Sequence, residues 1–230
     1  MSIPPSKIFA IGDIHGCFDK LLSLLGRIPF DKSRDTLIFL GDYINRGPDS
    51  KKVLDYLVRL KNECRNVVFL IGNHEQVLLE YGASGDTESL KVLRMMGVES
   101  TLESYGASVR KLQGLACFSA EHREFLHTLD FAYIDGRNIF THADINQEFI
   151  DLCKAGCERA EYSYRTEAAL LFSRRLVREE AETYGYTVIF GHSPVVFPLV
   201  LPNRIGIDTG AVYGNVLTAL ELPKMTFHHA

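Results

Sequence analysis

Short apolar runs alternate with amphipathic stretches through the first third of the chain. Lys7–Ile11, Thr36–Leu40 and Val67–Ile71 are each followed by a glycine and then by a polar residue. Brief runs of this kind, rich in β-branched and aromatic residues, predict buried strands. Between them, Phe18 to Arg27 carries leucines at 21, 22, 24 and 25. A segment capped by Asp49 or Ser50 then sets Val53, Leu54, Leu57 and Leu60 on one stripe. Both spacings are those of helices packed on one face, and the chain from Glu75 onward is helical again. Strand, helix, strand, helix, strand predicts a parallel βαβαβ start.

The pattern changes over residues 82–130, where Gly82, Gly85, Gly97, Gly106 and Gly114 punctuate short amphipathic pieces and Ala120–Leu129 forms a further helix. These predict a helical cap inserted into a single domain spanning 1–230. Two strands then flank Asp135-Gly136, the second being Asn138–Thr141. A helix is predicted from about Glu167 to Tyr184, then a strand at Thr187–Phe190. Arg204–Asp208 and Asn215–Leu220 are expected as antiparallel strands closing a second sheet.

Composition narrows the classes. At 230 residues and 46% apolar, the chain can bury a sizeable core, and a net charge of −4 argues against binding driven by nucleic-acid phosphates. Val188 to Pro202 is the most apolar stretch, but glycine, histidine, serine and two prolines interrupt it, short of the roughly 18 residues of a membrane span. Met1 to Lys7 has no apolar signal-like region. Five scattered cysteines (Cys17, Cys64, Cys117, Cys153, Cys157) supply one close pair, and a zinc cage needs two. A reduced cytoplasmic monomer, with neither nucleic acid nor membrane as partner, is expected.

The chemistry concentrates at strand ends. Gly12-Asp13-Ile14-His15-Gly16, Gly41-Asp42, Gly72-Asn73-His74-Glu75, Thr141-His142 and Gly191-His192 each follow an apolar run. Side chains at carboxyl ends of strands converge on one crevice in α/β folds. Singly, Asp13 and His15 read as a helix cap and a hydrogen-bonded core histidine; five such ends together make coincidence a poor account. Four of the eight histidines occupy these slots. Of the others, His122 and His127 are expected on an exposed helix face and His228-His229 in a tail. Carboxylate, amide and imidazole without thiolate suit borderline-hard divalent ions. Two ions sharing a carboxylate fit the count: Asp13, His15 and Asp42 around one, and Asp42, Asn73, His142 and His192 around the other. Such a pair clamps a phosphoryl group and activates water at neutral pH.

Gly12 to Gly16, Gly41-Asp42-Tyr43-Ile44-Asn45-Arg46-Gly47 and Gly72 to Glu75 resemble the three signature blocks of the phosphoprotein phosphatase family of metallophosphoesterases, in its bacterial and bacteriophage serine/threonine form. The likeness continues through His142, Gly191-His192 and Ile207 to Gly214. It implies a four-layer αββα sandwich and two divalent ions, Mn²⁺ foremost, with Fe, Zn, Ni or Mg as compatible occupants. It also implies direct attack of metal-bound hydroxide on a phosphorylated protein or small phosphoester. On that resemblance the six ligands are those above, and Asn73 also faces substrate. Arg46 and Arg174 grip phosphate, and His74 is the general acid. The family's tryptophan before the second arginine is Phe172 here, and Arg175 and Arg178 stand close by. Two further departures are Asn45, where the family has an aspartate paired with the general acid, and Asp144, where it has glycine. A symmetrical diadenosine tetraphosphate hydrolase on the same scaffold is the first alternative, since Arg46-Gly47-Pro48 fits that sister group. A catalytically weak phosphate-recognising module is the second.

Overall fold

A computed structural model describes residues 6–156, 162–178 and 181–230; Cys157, one of the close cysteine pair, lies outside them. The predicted opening is present as β1 (Ile8–Ile11), α1 (Phe18–Arg27), β2 (Thr36–Phe39), α2 (Ser50–Glu63), β3 (Val67–Phe69) and α3 (Asn73–Ser84). Strands β1, β2 and β3 pair in parallel. Helices α4 (Thr87–Met95), α5 (Val98–Ser104) and α6 (Ala120–His127) occupy the glycine-punctuated stretch. The second half adds β4 (Ala132–Asp135), β5 (Asn138–Thr141), α7 (Gln147–Ala155), α8 (Tyr164–Phe172) and β6 (Thr187–Phe190). It closes with β7 (Leu199–Leu201), β8 (Arg204–Gly206), β9 (Thr218–Leu222) and β10 (Thr226–His229).

The strands form two five-stranded sheets, ordered β10-β9-β1-β2-β3 and β4-β5-β6-β8-β7. Alternation along the strands shows why they stack. Phe9 and Ile11 of β1, Leu37 and Phe39 of β2, and Val188 and Phe190 of β6 belong to the core shared with the helices. Their neighbours Ala10, Ile38 and Ile189 turn the other way and meet Phe140, Ile205 and Leu220 in a second core between the sheets. A strand buried on both faces carries an unbroken apolar run, as these do. Two sheets face to face with helices outside make the expected four-layer αββα architecture. Among the described residues no helix is long and apolar enough to cross a membrane.

Several expectations are corrected. Strands β8 and β9 do not pair: β8 runs parallel to β6, and β9 runs antiparallel to β1 in the other sheet. The turn between them carries the chain from one sheet to the other, which period-2 patterning cannot register. The helix expected over 167–184 is α8, which ends at Phe172. Ser173 and Arg175 both bind Asp144, and that pull draws the chain out of the helix. His122 is buried, with Tyr105 Oη 2.7 Å from Nδ1 and Asp55 Oδ1 3.1 Å from Nε2. His228 and His229 lie in β10, where His228 Nε2 meets Glu221 Oε2 at 2.9 Å.

Candidate metal centre

Six polar residues leave the carboxyl ends of parallel strands on the same side of the sandwich. Asp13 follows β1, Asp42 follows β2, and Asn73 opens α3 after β3. His142, His192 and Asp208 follow β5, β6 and β8. All six are at least half buried. Bringing them together strains the backbone. His15, Asp42, Asn45, Arg46 and His192 have φ of 45°, 52°, 69°, 67° and 61°, a region that side chains with a Cβ seldom enter and that clusters at functional sites. Two glycines are required by close approach: a Cβ at Gly72 would collide with the Asp42 carboxylate, and one at Gly191 with that of Asp13.

Donor atoms of the candidate ligands lie close together. Nδ1 of His15 is 2.9 Å from the Ile44 carbonyl and Nδ1 of His142 is 2.9 Å from the Leu40 carbonyl. Tying one ring nitrogen to a carbonyl turns the other inward as a lone pair. Nε2 of His15 lies 3.3 Å from Asp42 Oδ2, and Nε2 of His142 lies 3.5 Å from Asp42 Oδ1. Asn73 Oδ1 sits 2.9 Å from His142 Nε2 and 3.0 Å from His192 Nδ1. Asp42 thus faces both groups, as a shared ligand must. Asp13, Asp42 and His142 have donor atoms within 4.8 Å of one another, and so do His15, Asp42 and His74.

The electrostatics fit a divalent pair. Burial pushes Asp42 up to about 7, and burial together with Asp208 and Asp42 raises Asp13 well above the carboxylate range. Burial lowers His15 and His192 to about 3 and His142 to about 4, leaving neutral imidazoles at physiological pH. Crowded carboxylates beside unprotonated imidazoles are the donor set that a dication satisfies.

His74 points across this group, with Nε2 3.8 Å from Asp42 Oδ2 and its ring centroid 4.5 Å from that of His15. Burial first, then His15 and Arg46, hold its pKa far below the ordinary value. Its other face meets Asn45, whose Nδ2 lies 3.0 Å from His74 Nδ1, while Thr101 of α5 donates to Asn45 Oδ1 at 2.7 Å. With the Asn45 oxygen engaged by Thr101, the amide N–H₂ faces the His74 ring.

Arg46 reaches into the centre, donating from Nη1 to His15 Nε2 at 2.9 Å, with its Cζ 5.6 Å from the Tyr213 ring centroid. Arg174 is exposed at the rim, and its charge acts on His192 and Asp208. Arg175 is committed elsewhere: Nε and Nη2 grip Asp144 at 2.9 and 2.8 Å. That bidentate pair resolves the Asp144 departure, because the carboxylate is taken up by Arg175, by Ser173 Oγ at 2.7 Å and by the Ile145 N–H at 2.7 Å. Asp144 is a brace, not an anion added to the centre.

Sequence reasoning missed three participants. Buried Glu75 accepts the N–H groups of Asp42, Tyr43, Ile44 and Gly72 at 2.9 to 3.2 Å, fixing the loop that carries Asp42 and Arg46. An acid three residues after Gly72 at a helix start is a capping-box signal that was there to be read. Thr101 had no local signal, and Tyr213 lay within the Ile207 to Gly214 stretch without a role assigned to it.

A family model described as calcineurin-like phosphoesterase matches residues 6–196. The asymmetrical bis(5'-nucleosyl)-tetraphosphatase PrpE of Halalkalibacterium halodurans is 26% identical, the match covering 94% of this chain and 90% of that one. Its namesake in Oceanobacillus iheyensis is 28% identical, over 96% and 90%. The cold-active protein-tyrosine phosphatase of a psychrophilic Shewanella superposes with a TM-score of 0.68 at 19% identity, over 98% of this chain and 80% of that one, which shows a shared fold. The two curated relatives are named as tetraphosphatases, as is the first alternative of the sequence analysis, and not as protein phosphatases, but theirs is the asymmetrical form where the symmetrical one was expected.

Proposed function

The chain belongs to the calcineurin-like phosphoesterases, whose model spans most of its length, and on that premise we propose that it hydrolyses dinucleoside polyphosphates of the diadenosine tetraphosphate type. The observation that carries this reading is the neutral amide of Asn45 against His74. A serine or threonine leaving group departs as an alkoxide and needs a strong acid, which a carboxylate at position 45 would sustain by stabilising imidazolium. A polyphosphate leaves as an oxyanion already stable at neutral pH. A neutral His74, offering only an Nε2–H hydrogen bond, is sufficient for it. The curated relatives point the same way, and their names favour asymmetrical over symmetrical cleavage.

Asp13, His15 and Asp42 would hold one divalent ion, and Asp42, Asn73, His142 and His192 the other. Mn²⁺ is the proposed occupant on donor chemistry. When bound, such ions supply Lewis-acid stabilisation of phosphoryl oxygens and a nucleophile at neutral pH. Arg46, whose guanidinium meets His15 Nε2 at 2.9 Å, would bind phosphoryl oxygens, and Arg174 would do so from the rim. In balance, one water is consumed. Its oxygen joins the phosphorus next to one nucleoside, the bond from that phosphorus to the bridging oxygen breaks, and AMP and ATP leave.

The test is a comparison of kcat/KM for diadenosine tetraphosphate and for a phosphoserine peptide, with Mn²⁺ present. The nucleotide is expected to lead by about tenfold or more, roughly 1.4 kcal/mol of transition-state preference. The reverse order would restore the protein-phosphatase reading.

A further inference from the structure

We propose that an apolar cavity beside the metal centre is the subsite for one nucleobase of the substrate; the proposal rests on the hydrolase reading above. The cavity has a volume of about 210 Å³ and lies between Pro194, Val195 and Val196 on one wall and Gly210 and Tyr213 on the other. Sites for whole drug-sized ligands start near about 300 Å³, so this one takes a single flat ring system and not an entire nucleotide. Tyr213 and Val196 are 63% and 69% exposed. Large apolar groups gathered at the mouth of a site, unlike scattered ones, mark a binding surface.

The two walls are built as one unit. Val195 N–H donates to the Asp208 carbonyl at 2.9 Å, and Asn215 Nδ2 donates to the Val196 carbonyl at 2.9 Å. Lys20 Nζ reaches from α1 to the Ala211 carbonyl at 2.7 Å and also to that of Asn215, holding the turn that bears Tyr213. Gly210 keeps the floor open. With φ of 71°, it has no Cβ where one would stand 3.5 Å from Tyr213 Cδ2 and 4.0 Å from Pro194 Cβ.

Arg46 says what the cavity serves. Its guanidinium stacks near the Tyr213 ring on one side and touches His15 on the other. With Arg46 Cζ 5.6 Å from the Tyr213 ring centroid, a ring seated on Tyr213 and a phosphate held by Arg46 would be neighbours in one nucleotide. The phosphorus at the metal centre is then the one bonded to the seated nucleoside, and the remaining polyphosphate is the leaving group, which gives the asymmetrical products. The walls are mostly hydrocarbon and present few groups to read a base edge. Stacking accepts any base, so the guanine and adenine dinucleotides should turn over at similar rates.

The experiment compares the ratio of kcat/KM for diadenosine tetraphosphate to that for p-nitrophenyl phosphate in the parent, Tyr213→Ala, Tyr213→Phe and Val196→Ser. The expected result is a ratio about tenfold or more lower in Tyr213→Ala, the size of one lost base stack. Tyr213→Phe should retain the ratio and Val196→Ser should lower it, and competition by inorganic tetraphosphate, which has no base, should be equal in all four. A ratio unchanged in both Tyr213→Ala and Val196→Ser overturns the subsite and leaves the hydrolase reading intact. Equal slowing of both substrates by Tyr213→Ala also overturns it, since Tyr213 would then act only through Arg46. A parent that cleaves p-nitrophenyl phosphate but not the dinucleotide overturns the hydrolase reading, and the subsite with it.

Discussion

Replacing Asn45 with aspartate puts the leaving-group argument to a quantitative trial. The change is nearly isosteric, and the side chain already lies 3.0 Å from His74 Nδ1. At an effective dielectric of about 20, unit charges about 4 Å apart attract by about 4 kcal/mol. Much of that is offset, because the new carboxylate must itself be buried beside Ser50 and Thr101. A net gain of about one pKa unit in His74, roughly 1.4 kcal/mol, is a reasonable remainder. The sign follows from the charge: a nearby anion raises the imidazole pKa, so the protonated form persists to higher pH. For phosphoserine or phenyl phosphate, whose leaving groups need the proton, kcat should rise by about tenfold at neutral pH and the basic limb of the profile should move up by about one unit. For diadenosine tetraphosphate the rate should stay within about twofold, because its leaving group needs no acid. The assay is a pair of pH–rate profiles for parent and variant on each substrate. Superimposed profiles on phenyl phosphate, or an equal gain on both substrates, would refute the reasoning.

Arg46→Ala should keep its metal content, by elemental analysis, while kcat falls by about 10²-fold or more, the usual cost of losing one charge-stabilising donor. Glu75→Gln exchanges an acceptor oxygen for an amide that faces two buried N–H groups. Two orphaned donors at about 1–3 kcal/mol each predict a loss of about 2–6 kcal/mol in urea unfolding, and a variant as stable as the parent would exclude that anchoring role. Chelated protein should bind Mn²⁺ more weakly as pH falls through about 7, because Asp42 is pushed up to about 7 by burial and must lose its proton to ligate. Calorimetry in buffers of different ionisation enthalpy should detect proton release on binding.

The legible parts of the chain were those whose information is local. Phe18–Arg27, Asn138–Thr141 and Thr187–Phe190 stand where periodicity and turn residues put them. The candidate ligands were legible too, because apolar strand, glycine and polar residue recur in one order, and the structure brings Asp13, His15, Asp42, Asn73, His142 and His192 together. Partner choice was not legible. The sheet each of β8 and β9 joins is decided by the Asp208–Asn215 crossing, not by their composition. Thr101 meets Asn45 across 56 positions, and Asp144 meets Arg175 across 31; neither pair announces itself in sequence. Candidate ligands can be named from residue type and spacing, whereas the environment of His74, on which the proposed leaving-group preference rests, depends on contacts from a distant helix.

The most direct measurement is product identification after incubating the Mn²⁺-loaded protein with diadenosine tetraphosphate and resolving the nucleotides by chromatography. The account predicts AMP and ATP in equal amounts from the first turnovers. Two molecules of ADP per substrate, or intact dinucleotide alongside rapid phosphate release from a phosphoserine peptide, would contradict it.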